Sequence, residues 1–262
     1  MQKQVTIISE YSQQYRKKLG FSSQASAKDF FGGKDIVPVV DFKYIKSLNI
    51  RLGEFVDRLN DIVVPEIKNN DLDSFKKEHV DSVFNIIKDN NILPRLNNQG
   101  RRSENVYFSW MRGYLVSTYF LKALGVIFEI DLSSIELIGE DDLRSLETFK
   151  RTPTADLKIT LKNGEKLRIE IQAGFTGVND IKQHKVKEAQ KVFQDFDEST
   201  IAIHIDLYNG QVAFLKLNDI DESKVQWEKR EQFEGQMVFS IDQKYFIWKL
   251  TENPIKYKDI IF

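Results

Sequence analysis

Residues 152–174 read TPTADLKITLKNGEKLRIEIQAG, and the register of this one hairpin decides the fold. Apolar and polar residues alternate up to Asn163-Gly164 and alternate again after it, the period-2 pattern of two strands joined by a tight turn. Leu157, Ile159 and Leu161 can share a face with Leu167, Ile169 and Ile171 only if paired residue numbers sum to an even value. A two-residue Asn-Gly turn would pair Lys162 with Glu165, set Leu157 against Glu170 and split that face. A three-residue loop, Lys162-Asn163-Gly164, with Gly164 in the left-handed conformation, pairs Leu161 with Glu165 instead. Asp156 then stands opposite Glu170, with Gln172 next on the same polar face. The two acids come roughly 5 Å apart at Cβ.

Two like charges at that separation are unfavourable unless a cation or a proton lies between them. Hard divalent cations such as Mg²⁺ take oxygen ligands from one or two carboxylates and complete their octahedron with water and phosphate. The same pair also suits the wet outer face of a two-sided hairpin, and the residues alone leave both readings open.

Around the hairpin the chain shows no repeat, no low-complexity tract and no Pro/Gly/Ser linker, so one domain over residues 1–262 is expected. Residues 40–62 carry Ile45, Leu48, Leu52, Phe55, Val56 and Leu59 at helical spacing. Residues 72–90 do the same with Leu72, Phe75, Val80, Val83, Phe84 and Ile87, and Pro65 and Pro94 punctuate the two stretches. Residues 1–100 thus read as a mostly helical elaboration. A long apolar helix is expected from about Val106 to Ala123, ended by Leu124-Gly125. VIFEIDL (126–132) reads as a strand, residues 178–196 as a helix, and TIAIHIDL (200–207) and QVAFLKL (211–217) as strands turned by Tyr208-Asn209-Gly210. A further strand candidate spans 236–250, with Ile241-Asp242-Gln243 as a polar break, inside a C-terminal extension over 218–262. This order implies an α/β fold with a mixed central sheet flanked by helices.

Asp156, then thirteen intervening residues and Glu170-Ile171-Gln172, preceded by a strand and followed by a helix and another apolar strand, resembles the core of the PD-(D/E)xK nucleases. The resemblance covers roughly residues 104–217, the catalytic core. It implies that Asp156 and Glu170 bind metal, helped by the Ile171 carbonyl, and that the residue at 172 orients the attacking water. Two departures stand out: Pro153 lies three residues before Asp156 rather than beside it, and Gln172 replaces the usual Lys. A Glu-x-Gln motif occurs among type II restriction endonucleases, which this chain therefore resembles most. That implies Mg²⁺-dependent, site-specific cleavage of double-stranded DNA to a 5′-phosphate and a 3′-hydroxyl, with Mn²⁺ as substitute metal. It further implies a homodimer matched to palindromic DNA, and a cognate DNA methyltransferase in the genome. The alternatives are another nuclease of the same fold (repair, recombination or phage defence), a non-catalytic DNA-binding protein, and a structural α/β protein.

Other residues extend the site. Glu104, at the start of the long helix, is a candidate extra metal ligand, or else a first-turn acid favoured by the helix dipole. The loop around Arg95, Asn98, Arg101 and Arg102 carries the side chains that contact phosphates and base edges, as does any solvated loop. Thr176, Asn179, Lys182, His184 and Lys185 follow the Glu-x-Gln strand and enter a helix, so Asn179, Lys182 and Lys185 are the better phosphate contacts. His204 is read as a packing residue.

Bulk composition narrows the rest. Hydrophobic content of 41% and aromatic content of 12% suit a globular protein with a sizeable core. The net charge of −1 means that a nucleic acid must bind through a local basic surface. Residues 129–147 carry seven acids against one Arg, and residues 151–191 carry nine Lys/Arg against five acids, so polarity changes at the hairpin. No apolar run nears the roughly 18 residues of a membrane span, and no secretory leader is visible. The absence of cysteine excludes disulfides and thiolate metal sites, and a cytoplasmic location is expected. With three His, a His-rich zinc site is not expected.

Overall fold

The computed structural model describes residues 2–33, 36–96, 101–138, 156–231 and 235–262. The amino-terminal part is helical: α1 (Gln2–Leu19), α2 (Gln24–Phe31), α3 (Phe42–Ile62), α4 (Leu72–Lys76), α5 (Val83–Asp89), α6 (Ser103–Tyr119) and α7 (Leu121–Phe128). Helix α3 begins where the Asp41 carboxylate accepts the Tyr44 amide at 2.9 Å. It buries Ile45, Leu48, Leu52, Val56 and Leu59, one stripe at spacings of three and four. Between α4 and α5 the chain takes one wide π-helical turn, Lys77–Ser82. That turn lets Val80, five residues after Phe75, reach the buried face that a regular helix would have given to His79.

The strand expected at 126–132 is a helix. Ala123, Leu124, Ile127 and Phe128 recur at helical spacing and are all buried, and α7 closes at Glu129 with φ 55°. Gly125 does not end the helix but lies within α7, where a Cβ would meet Leu132 Cδ2 at 2.9 Å. A short apolar run does not by itself distinguish strand from buried helix.

The strands are β1 (Glu136–Leu137), β2 (Leu157–Thr160), β3 (Lys166–Gly174), β4 (Asp180–Lys182), β5 (Ser199–Asp206), β6 (Gln211–Lys216), β7 (Glu228–Arg230), β8 (Gln236–Ser240) and β9 (Phe246–Lys249). Helix α8 (Gln183–Phe196) lies between β4 and β5. It starts later than the pattern suggested, because residues 180–182 pair with β8. The stretch 236–250 is two strands parted at the polar break, not one.

The central sheet runs β1-β2-β3-β5-β6-β9 and a small one runs β4-β8-β7. Strands β3 and β5 are parallel, joined through α8, and the other neighbours in the central sheet are antiparallel. Leu167, Ile169, Ile171, Ile203, Ile205 and Phe214 pack with Ile45, Leu52, Met111 and Leu115 of the helical layer. On the opposite face, Ala202, Ala213 and Leu215 pack with Val186 and Ala189 of α8 and Phe239 of the small sheet. The mixed sheet is therefore sandwiched between helices, as the pattern implied.

The hairpin adopts the three-residue loop. Leu157 pairs with Ile169 and Ile159 with Leu167. The Leu161 amide donates to the Glu165 carbonyl at 2.8 Å, the Gly164 amide donates to the Leu161 carbonyl at 2.9 Å, and Gly164 has φ 86°.

Candidate active site

Continuing the β2–β3 register one residue past Leu157 sets Asp156 opposite Glu170. The half-buried Asp156 carboxylate accepts the Ile171 amide at 2.6 Å, which ties it to the strand that carries Glu170. Glu170 is 7% exposed, and its Oε2 accepts from Lys185 Nζ at 2.8 Å. Burial raises its pKa above the usual carboxylate range, against the pull of Lys185, a hydrogen bond from Gln172 and the charge of Lys182. Burial works the other way on Lys185, but Glu170, Asp156 and Glu188 outweigh it and raise the ammonium's pKa. Lys185 is thus a cation that senses both acids and stays protonated at neutral pH.

Helix α8 explains why a lysine reaches this point. Its buried stripe, Val186, Ala189 and Val192, faces the sheet, and Lys185 and Glu188 form the adjacent stripe above the polar face of the hairpin. That face is not wet. Glu198 is buried between Lys158 and Arg168, the latter 2.9 Å away, and Arg168 also lies over the Phe196 ring. Glu188 lies near Lys185, Glu170 and Arg168, with burial raising its pKa and its Oε2 buried without a hydrogen bond.

The other candidates divide. Glu104 is 2% exposed and accepts the Asp41 amide at 2.7 Å and Arg102 Nε at 3.3 Å. Burial opposes its charge, but these donors prevail and lower its pKa. Its carboxylate is occupied in joining α6 to the start of α3. Arg102 is held there and stacks over Tyr44, while Arg101 donates to Ser109 Oγ at 3.1 Å. Asn98 lies outside the described residues. Lys182 occupies the N-cap position of α8, half-buried, and burial, then the charges of Lys182 and Lys185, lower the pKa of His184.

Asn179 faces inward. Its Nδ2 donates to Asp206 Oδ2 at 2.8 Å, so its Oδ1 is turned to His204 Nε2, also at 2.8 Å. His204 therefore carries its proton on Nε2, and its Nδ1 is buried without a partner. Burial, opposed by Asp206 and Asp180, pushes its pKa down to about 4. His204 is a neutral packing residue, paired in register with Gln172.

Among the described residues, no three His, Cys, Asp or Glu side chains converge as a metal cage. Two opposed carboxylates are nonetheless the kind of oxygen donor taken by a Mg²⁺ that keeps its remaining positions for water and phosphate. The pairing of Lys185 with Glu170 was not evident from the sequence. The signal was there in the spacing of α8, since a residue just before Val186 borders the stripe that packs on the sheet.

No protein-family model and no curated protein matches the chain. Among solved structures, the Holliday junction resolvase Hjc of the archaeal hyperthermophile Archaeoglobus fulgidus is 13% identical, with a TM-score of 0.31, covering 49% of this chain and 90% of the resolvase. A likeness this loose carries no argument, and function rests on the geometry of the site. No helix among the described residues is long and apolar enough to cross a membrane.

Proposed function

We propose that the chain is a divalent-metal-dependent endonuclease acting on double-stranded DNA, and in its finer form a type II restriction endonuclease. The observation that carries this reading is the opposition of Asp156 and Glu170 across β2 and β3, with the Lys185 ammonium 2.8 Å from Glu170. Asp156 and Glu170, with the Ile171 carbonyl, would hold Mg²⁺ or Mn²⁺. When bound, the ion supplies Lewis-acid stabilisation of charge on the scissile phosphate and acidifies water.

The chain's own residues then divide the work. Gln172, next on the face of Glu170, orients the attacking water, since an amide does not act as a base. Lys185 brings from α8 the ammonium that the Glu-x-Gln motif lacks. With its pKa raised, it donates hydrogen bonds and offsets developing negative charge rather than accepting a proton. Asp156, tied to the Ile171 amide, stays in register with Glu170 while substrate enters. A homodimer and a cognate methyltransferase belong to the restriction reading.

The test is digestion of plasmid DNA with Mg²⁺ and with EDTA. Discrete bands dependent on metal support the restriction reading, whereas metal-dependent but unspecific cutting supports another nuclease of this fold. Asp156→Ala and Glu170→Ala should each abolish cleavage while DNA binding survives. Full cleavage by either variant in Mg²⁺ would sink the proposed site.

A further inference from the structure

Several arginines among the described residues are matched by acids: Arg168 by Glu198, Arg102 by Glu104, and Arg230 by Asp180 and Glu228. Arg112, on α6, is not. Its guanidinium lies between two rings, 5.1 Å from the Phe108 centroid and 4.6 Å from that of Phe175. The rings favour a cation but accept none of its in-plane N–H bonds. Among the described residues its Nε is buried without a hydrogen-bond partner, and its Nη2 donates to Ser109 Oγ at 3.5 Å.

Arg101 Nη2 donates to that same Ser109 oxygen at 3.1 Å. Two guanidinium groups thus converge on one hydroxyl, and among the described residues neither has a carboxylate within ion-pair distance. Burial, and then the charge of Arg101, depress the pKa of Arg112. Like charges held together with spare donors describe a receptor for an anion with several acceptor oxygens, which a planar guanidinium fork engages best as phosphate.

We propose that Arg101 and Arg112 form a phosphate-binding site that grips a backbone phosphodiester of bound DNA. The nuclease reading identifies the polymer, but the anion site itself stands on the geometry. Phe175, which supports Arg112, follows directly on β3, five residues beyond Glu170.

The experiment follows the arginine Nε–H signals of ¹⁵N-labelled full-length protein, with Arg112 assigned through Arg112→Lys. Inorganic phosphate and a short duplex in EDTA are titrated separately. The Arg112 signal should shift with the duplex, and also with millimolar phosphate. Arg112→Gln and the more exposed Arg101→Gln should each weaken duplex binding about 10- to 100-fold. Each should also reduce the log–log salt slope by about one.

Arg101→Gln keeps the test open if Arg112→Gln does not fold. A shift with phosphate but not with duplex overturns the assignment to DNA. No shift with either, together with an unchanged salt slope, leaves Arg112 a packing residue and overturns the proposal outright. A shift with duplex that is never cut in Mg²⁺ supports the phosphate site while removing the nuclease reading.

Discussion

Lys185→Met isolates the ion pair that the sequence did not reveal. The lysine side chain is 16% exposed and that of its partner Glu170 is 9% exposed, so water screens little of their attraction. Methionine keeps the stem that packs beside Val186 and leaves Glu170 without its nearest cation. Removing one partner of such a buried pair costs about 3–5 kcal/mol, and the cost must depend on pH. The Glu170 pKa is already raised by burial, and losing Lys185 raises it further. A carboxyl whose folded pKa is raised favours the fold below its unfolded pKa of about 4.3. That contribution is lost as pH rises through the folded value. The destabilisation should therefore be smaller at pH 5 than at pH 8.

Urea unfolding at the two pH values measures it, with the slope m held constant between variants. Adding Glu170→Gln to Lys185→Met should recover most of the loss at pH 8, because no buried charge is left unpaired. Cleavage by Lys185→Met should fall about 10²-fold or more, with Lys185→Arg recovering part of it. A loss below about 1 kcal/mol at pH 8, or one that is equal at both pH values, would refute the buried pair and the role built on it.

Three further outcomes are expected. Gln172→Ala should lose most cleavage, because misorienting the attacking water costs several kcal/mol of barrier. A wild-type rate in single-turnover digestion would make Gln172 a bystander. His204, neutral in the fold with its pKa down at about 4, binds a proton on unfolding below about pH 6.5. Its stabilising contribution is complete above that pH and is lost as pH falls towards 4, by about 3 kcal/mol. Chemical unfolding at pH 7 and pH 4 should show that loss in wild type and a flatter response in His204→Gln. Gly174→Ala would bring a Cβ to 2.8 Å from Asn179 Oδ1 and 3.1 Å from His204 Nε2. It should destabilise by about 1–3 kcal/mol, and an unchanged melting temperature would show that this corner is not tightly packed.

The register of the hairpin was legible because it is a local matter. Side chains alternate strictly along a strand, so Leu157, Ile159, Leu167 and Ile169 can share one face in one way only, and that places Asp156 against Glu170. The helices α3 and α5 were legible for the same reason at a different period. Residues 126–132 were misread because a short apolar run carries no period long enough to choose. Whether the polar face of the hairpin was wet or covered could not be read locally either, since the cover, α8, packs across the sheet.

The sequence by itself determined the α/β class, the hairpin register and the opposition of two acids, all of which follow from side-chain periodicity within a few residues of the turn. Only the tertiary structure decided which partners those groups take. It brought Lys185 onto Glu170, engaged Glu104 with Asp41 and Arg102, turned Asn179 inward to His204, and joined Arg101 and Arg112 at Ser109 beside Phe175. Each of these meetings depends on how a helix packs against the sheet or against its neighbours. That packing is set by the summed burial of many distant apolar side chains, which no short stretch of sequence contains.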